Sequence, residues 1–225
     1  MRKVDLTDID RRLESSNSKD RLLALASLRE VEAKDAVPLI KKVIYDEMLP
    51  VRSMAIFALG IKQTEECLPI LVKLLETDPD YGIRADAAGA LGYLRDIGAF
   101  EPLVRAFYED TEWLVRFSAA VSLGNLGDIR AKNVLLEALH SNETALQQAA
   151  ISALGEVKAE DCIGEILVFV QSEDWLIRQR VAESLGNFQG NEKAISALNF
   201  LAKDPHPQVC QAANYSLQQI SVLPD

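Results

Sequence analysis

Residues 83–94 read IRADAAGALGYL, residues 51–62 read VRSMAIFALGIK, and residues 115–126 read VRFSAAVSLGNL. The shared frame is a branched apolar residue, an arginine, an alanine at the fifth place, then Leu-Gly. Aligned on it, the chain shows starts at Asp20, Val51, Ile83, Val115, Leu146, Ile177 and Val209, spaced by 31, 32, 32, 31, 31 and 32 residues. So steady a period, with no long loops, marks a solenoid whose units pack only on their neighbours.

Each period holds two helical patterns. The framed pattern places apolar or small residues at offsets 0, 4, 5 and 8, one buried arc of a helix; in the third unit these are Ile83, Ala87, Ala88 and Leu91. The pattern before it appears as VPLIKKVI (37–44), LPILVKLL (68–75), EPLVRAF (101–107), VLLEAL (134–139), IGEILVFV (163–170) and ISALNFL (195–201). Pro38, Pro69 and Pro102 are expected near the starts of these helices, where the missing N–H would have no partner anyway. Gly60, Gly92, Gly124, Gly155 and Gly186 at offset 9 are expected to end the framed helices and to allow close backbone approach. Arg29 and Gln218 replace glycine in the outer units, as capping units would. A helix at about 5–15 with Leu6, Ile9 and Leu13 on one face completes the first pair. The expectation is an all-α chain, a single domain over 1–225, of about seven helix pairs.

Composition narrows the function. Hydrophobic residues make up 48%, too many for a disordered chain, and aromatics only 6%, which suits close helix packing. A net charge of −10 and no run of Lys or Arg argue against nucleic-acid binding. Cys67, Cys162 and Cys210 are far apart with no CxxC, so reduced thiols in a cytoplasmic protein are expected. The N-terminal MRKVDLTDIDRRL lacks the apolar stretch of a signal peptide, and no apolar run approaches the ~20 residues of a membrane span.

No catalytic constellation emerges. His140 and His206 are the only histidines, and neither sits in HExxH or a repeated His-Glu pair, so no metal site is expected. There is no GxxxxGK[ST], no GxSxG and no GxGxxG after a strand. Glu65-Glu66 and Glu160-Asp161 lie near expected helix starts, where the dipole favours them.

An Asp near the end of the first helix, six residues before the Arg of "[VI]R..A..[AS]LG", resembles the HEAT repeat. The compact 31–32-residue form is similar to the repeats of the phycobilisome lyase-type HEAT-like family, with "EWLVR" and "DWLIR" at helix starts. The resemblance implies a right-handed α-solenoid. It also implies an inter-repeat ladder from Asp46 and Arg52, Asp78 and Arg84, and Asp110 and Arg116. In the next unit Asn142 and Gln147 replace both partners together, as pairing predicts; Asp174 and Arg178 return at a shorter spacing, and the last unit has Asp204 with Cys210.

A binding surface is expected where the framed helices turn away from the core, at offsets 2, 3, 6 and 10. Units two to four present Ser53, Met54, Phe57 and Ile61, then Ala85, Asp86, Gly89 and Tyr93, then Phe117, Ser118, Val121 and Asn125. Later units present polar sets such as Gln148, Ala149, Ser152 and Glu156, or Gln179, Arg180, Glu183 and Asn187. The candidate groove for a partner or bilin is therefore Met54, Phe57, Ile61, Asp86, Gly89, Tyr93, Trp113, Phe117 and Val121, with no catalytic residue assigned. A helical phase error of one position would instead bury these residues. Tyr81, Trp113 and Trp175 at offset −2 either staple helix entries or stand on the groove rim.

The resemblance implies a binding protein for phycobiliproteins (phycocyanin or allophycocyanin) or their bilins, in phycobilisome degradation under nutrient stress. It implies no required cofactor, phycocyanobilin as a ligand, and a cytoplasmic location beside thylakoids. The alternatives are a subunit of a bilin lyase or isomerase working at a cysteine thioether, and a protein-interaction scaffold without pigment.

Overall fold

The computed structural model describes residues 5–221, which form helices and turns with no strand. Fourteen α-helices among these residues pair in chain order, and two compact units meet at Ser122–Leu123. In the N-terminal unit the pairs are α1 (Leu6–Leu13) with α2 (Ser18–Ser27), α3 (Ala33–Lys41) with α4 (Leu49–Lys62), and α5 (Cys67–Thr77) with α6 (Tyr81–Leu94). Next come α7 (Phe100–Glu109) and α8 (Trp113–Leu126), within which the unit boundary falls. The C-terminal unit continues with α9 (Lys132–Leu139) and α10 (Thr144–Glu156), α11 (Ile163–Leu167) and α12 (Trp175–Leu185), and α13 (Glu192–Leu201) and α14 (Pro207–Ser221). Within each unit successive framed helices pack side by side, α2 on α4 on α6 and α10 on α12 on α14, while the other helices form a second layer.

The framed arc is the core. Val51, Ala55, Ile56 and Leu59 on α4, and Ile83, Ala87, Ala88 and Leu91 on α6, are all buried. Alanine at offset 4 of both helices lets them approach, and the branched residues at offsets 0 and 8, with Ile56 at offset 5 of α4, fill the space between layers.

Two sequence expectations need correction. Pro69 and Pro102 do lie in the first turns of α5 and α7, but Pro38 lies in the second turn of α3. Gly186 does end its helix, as the C-cap of α12, but Gly60, Gly92, Gly124 and Gly155 lie within theirs. α4 and α6 continue past Gly60 and Gly92 and stop three residues later, at left-handed Gln63 (φ 46°) and Arg95 (φ 54°). What Gly60 and Gly92 provide is contact: a Cβ on Gly60 would lie 2.8 Å from the Ala90 carbonyl oxygen, and one on Gly92 would lie 2.6 Å from Ser122 Oγ. The partners occupy offset 7 of the next framed helix, and the C-terminal unit repeats the arrangement at Gly155 against Ser184 and Gly186 against Ser216.

The ladder also has a different register. The carboxylate of each Asp is held by the arginine of the preceding repeat: Arg21 with Asp46, Arg52 with Asp78, and Arg84 with Asp110. Arg84 makes two contacts to Asp110, Nε to Oδ2 at 2.7 Å and Nη2 to Oδ1 at 3.0 Å. Within its own repeat Arg84 donates instead to the backbone carbonyl of Asp78, at 3.0 Å. Arg116 likewise turns to the Asp110 carbonyl at 3.4 Å, and Arg52 is not the partner of Asp46. In the C-terminal unit Arg178 spans the Ser172 carbonyl and the Asp204 carboxylate.

The acidic place is thus always six residues before the arginine. In the fifth repeat it is Ser141, not Asn142, and in the sixth it is Ser172, while Asp174 caps α12 through the Leu176 N–H. Ser15, Asp46, Asp78, Asp110, Ser141, Ser172 and Asp204 each accept a bond from the backbone N–H two residues on, which shapes the turn between paired helices.

Two predictions follow from packing and charge. Gly60→Ala gains about 1 kcal/mol of helix propensity but drives a methyl into backbone, at a cost of about 3 kcal/mol; the net loss of about 2 kcal/mol is read by denaturant unfolding. Burial pushes the Asp110 carboxyl up, but the Arg84 hydrogen bond and the Glu112 N–H outweigh it; Asp204 is lowered chiefly by Arg178. Both groups are depressed by folding, so their contribution is complete above the unfolded value of about 3.9 and is lost as pH falls through the folded values. Asp110→Asn with Asp204→Asn should destabilise at pH 7 by about 3 kcal/mol or more and flatten the loss of melting temperature between pH 5 and pH 3. A variant as acid-sensitive as the parent would refute the ladder's role in that loss.

Candidate functional site: an aromatic face on the N-terminal unit

The face of α4 and α6 opposite their buried arc carries large apolar side chains in the open. Phe57 is 53% exposed and Tyr93 54%, and their rings meet edge to face with centroids 5.8 Å apart at 86°. Met54 and Ile61 flank Phe57 and are exposed too, as is Val121 on α8. Trp113, 48% exposed at the first position of α8, packs edge-on against half-buried Phe117 with centroids 6.4 Å apart. The helical phase read from the sequence therefore holds for these residues. Ala85 is the exception on this unit: it is buried rather than presented.

A cavity of about 190 Å³ opens between these helices, lined by Ser53, Phe57, Asp86, Gly89, Tyr93 and Ser118 among others. Gly89 supplies open space: a Cβ there would meet nothing within 4 Å. Asp86 is exposed and forms no ion pair or hydrogen bond through its carboxylate among the described residues. Met54, Ile61, Trp113, Phe117 and Val121 do not line this cavity; they extend the apolar face around it.

Two larger cavities lie elsewhere. One of about 450 Å³ adjoins Glu76, Asp78, Arg84, Arg105 and Asp110, whose charges are already matched by Arg84–Asp110, Arg52–Asp78 and Arg105–Glu76. The other, about 550 Å³ in the C-terminal unit, lies between Val168 and Phe200 with Lys193 at its wall. On α12 of that unit the framed face is polar and self-satisfied, with Glu183 accepting from Gln179 and Arg180, both at 2.7 Å; Ala149 on α10 is buried, and Tyr215 on α14 is exposed. Trp175 lies flat on His206, centroids 4.0 Å apart, so it packs where Trp113 projects.

Reactive groups are sparse. Cys67 and Cys162 are buried, Cys210 is half-buried, and all three are unpaired thiols. Burial pushes the Cys162 thiol up, with Asp161 adding to it. His140 contacts Glu165 at 3.4 Å on an exposed surface. Among the described residues no three His, Cys, Asp or Glu side chains converge as a metal site, and no helix is long and apolar enough to cross a membrane.

The profile of the HEAT repeats matches residues 9–92, 68–155 and 133–218. The chain belongs to the HEAT-repeat family. Among solved structures it is similar to the CpcE–CpcF complex of phycocyanin lyase from Nostoc sp. PCC7120. That match has 21% identity and a TM-score of 0.64, covering 98% of this chain and 96% of the other. It is also similar to YibA of E. coli, with 18% identity and a TM-score of 0.58 over 94% and 92% of the two chains. An engineered protein matches at 24% identity and a TM-score of 0.53, covering 96% and 98%. These likenesses show the fold of this HEAT-repeat chain. No curated protein matches its sequence significantly.

The buried serines of the HEAT-repeat contacts escaped the sequence reading, although the restriction of offset 7 to Ala or Ser was there to be read: Ala58, Ala90, Ser122, Ala153, Ser184 and Ser216. Ser122 also donates to the Ala88 carbonyl at 2.8 Å. For the aromatic face the measurable consequence is stability without dependence on the rings. Phe57→Ser with Tyr93→Ser should change unfolding free energy by no more than about 1 kcal/mol, or about 2–4 °C in melting temperature. Fully buried Leu103→Ala should cost about 3 kcal/mol. A loss from the double variant as large as that of Leu103→Ala would place the rings in the core.

Proposed function

We propose that this HEAT-repeat chain binds phycobiliproteins, phycocyanin or allophycocyanin, or the bilin they carry, through the aromatic face of α4, α6 and α8. Its role on this reading is phycobilisome degradation under nutrient stress, in the cytoplasm beside thylakoids. The observation that carries the reading is the exposure of Met54, Phe57, Ile61, Tyr93, Trp113 and Val121 on one unit of an acidic chain. Such exposed large apolar side chains are the kind of surface a partner covers. The repeats resemble those of the phycobilisome lyase-type proteins, and on this reading the chain is similar in role to the phycobilisome degradation protein NblB.

Binding, rather than covalent chemistry, is the mechanism the side chains support. A thiol whose ionisation burial opposes, as at Cys162, is a poor nucleophile. Capture of a partner helix or chromophore in a strained arrangement would loosen the antenna by differential affinity alone. Phycocyanobilin is on this reading a ligand and not a resident cofactor. Association with acidic phycobiliproteins gains nothing from electrostatic steering, since this chain carries −10, so the apolar face supplies the affinity.

A second reading, a subunit of a bilin lyase or isomerase, is supported by the likeness to the phycocyanin lyase complex along nearly the whole chain. Mixing the purified protein with free phycocyanobilin and with holo-phycocyanin separates the two. The expected result is co-elution with holo-phycocyanin that Phe57→Ser with Tyr93→Ser abolishes. Catalytic change of bilin absorbance by substoichiometric protein would favour the lyase reading, and neither co-elution nor spectral change would sink both.

A further inference from the structure

The 190 Å³ cavity is small, and that decides what enters it. Sites for drug-sized ligands span roughly 300–1,000 Å³, so a linear tetrapyrrole can lie across this opening but cannot be enclosed by it. The volume suits a single amino-acid side chain reaching in from a partner.

The walls select which one. Phe57 and Tyr93 pack edge to face on each other and both line the cavity, so a group entering beside the pair meets aromatic surface. Asp86 lines the same cavity with an uncommitted carboxylate, in contrast to Asp46, Asp78 and Asp110, whose carboxylates are held by arginines. An apolar occupant would strip water from Asp86 and leave it unpaired, and an anionic one would be repelled by it. A cation answers both features, pairing with the carboxylate and lying over an aromatic face. Of the two basic side chains, arginine has the planar, weakly hydrated head that stacks on rings and forks to a carboxylate. Its aliphatic stem needs room beside the helix backbone, and Gly89 leaves that room open.

We infer that Phe57, Asp86, Gly89 and Tyr93 form a receptor for one arginine side chain projecting from an otherwise apolar protein partner surface. This rests on the aromatic face being a docking surface but not on the partner carrying a pigment.

The test uses the full chain and N-acetyl-arginine methylamide as probe, with the isosteric, uncharged citrulline analogue as control, followed by amide and aromatic NMR at constant ionic strength. The arginine probe should shift the Gly89 amide and the Tyr93 ring, saturating in the millimolar range, with the citrulline analogue at least tenfold weaker. Asp86→Asn should weaken the arginine response at least fivefold. Gly89→Leu should abolish it with helicity and melting temperature intact, because nothing stands where the new side chain begins. Equal response to both probes, shifts that bypass Gly89 and Tyr93, or indifference to Asp86→Asn would overturn the inference. A protein that takes the arginine probe but ignores holo-phycocyanin keeps this inference and removes the pigment reading.

Discussion

Arg84 ties three stretches of backbone together with one side chain. Its guanidinium is held by the carbonyl of Asp78 in its own turn and by both oxygens of Asp110 in the next repeat. Asp110 in turn accepts the Glu112 N–H and so shapes the turn into α8. The rung therefore sets two things at once, the turn within a repeat and the spacing to the following one. It recurs at Arg21–Asp46 and Arg52–Asp78, and in the C-terminal unit at Arg178–Asp204. Because these pairs are largely buried, the attraction is weakly screened, and removal of either half leaves a charge that burial penalises.

The rung would not set a distance unless the helices could reach it, and the glycine column makes that possible. Gly60 lies against Ala90 and Gly92 against Ser122 so closely that no side chain fits at either glycine. Neighbouring framed helices are thus pinned by polar contacts in the turns and by backbone approach near their C-terminal ends. With the helices held in this way, the opposite face is free of structural duty. On α4 and α6 that freedom is used for aromatic residues and one uncommitted carboxylate; on α12 it is used for a Gln-Arg-Glu network that satisfies itself.

Much of this was legible in the amino-acid order. The period, the helix pairs and the buried arc follow from residues at offsets 0, 4, 5 and 8, because burial repeated at 3.6-residue spacing leaves a pattern no other structure imitates. The exposure of Phe57 and Tyr93 follows from the same geometry read on the other side of the helix. The ladder was legible as residue types but not as partners. Asp78 and Arg84 are six residues apart in sequence, yet the carboxylate belongs to Arg52, and the proximity of Arg84 is spent on a backbone carbonyl that any residue could offer. The glycines misled for a similar reason: Leu-Gly near a helix end reads as a stop, while Gln63 and Arg95, which make the left-handed turns, carry no such signal.

By itself the sequence determined the repeat, the all-helical class, the buried face and the exposed one, since each depends only on the local spacing of apolar residues. Tertiary structure alone decided which charges meet, which glycines touch a neighbouring helix, and which exposed residues enclose a cavity. These depend on how far one helix stands from the next, a distance set by the summed contacts of residues 25 or more apart and written in no single stretch of the chain.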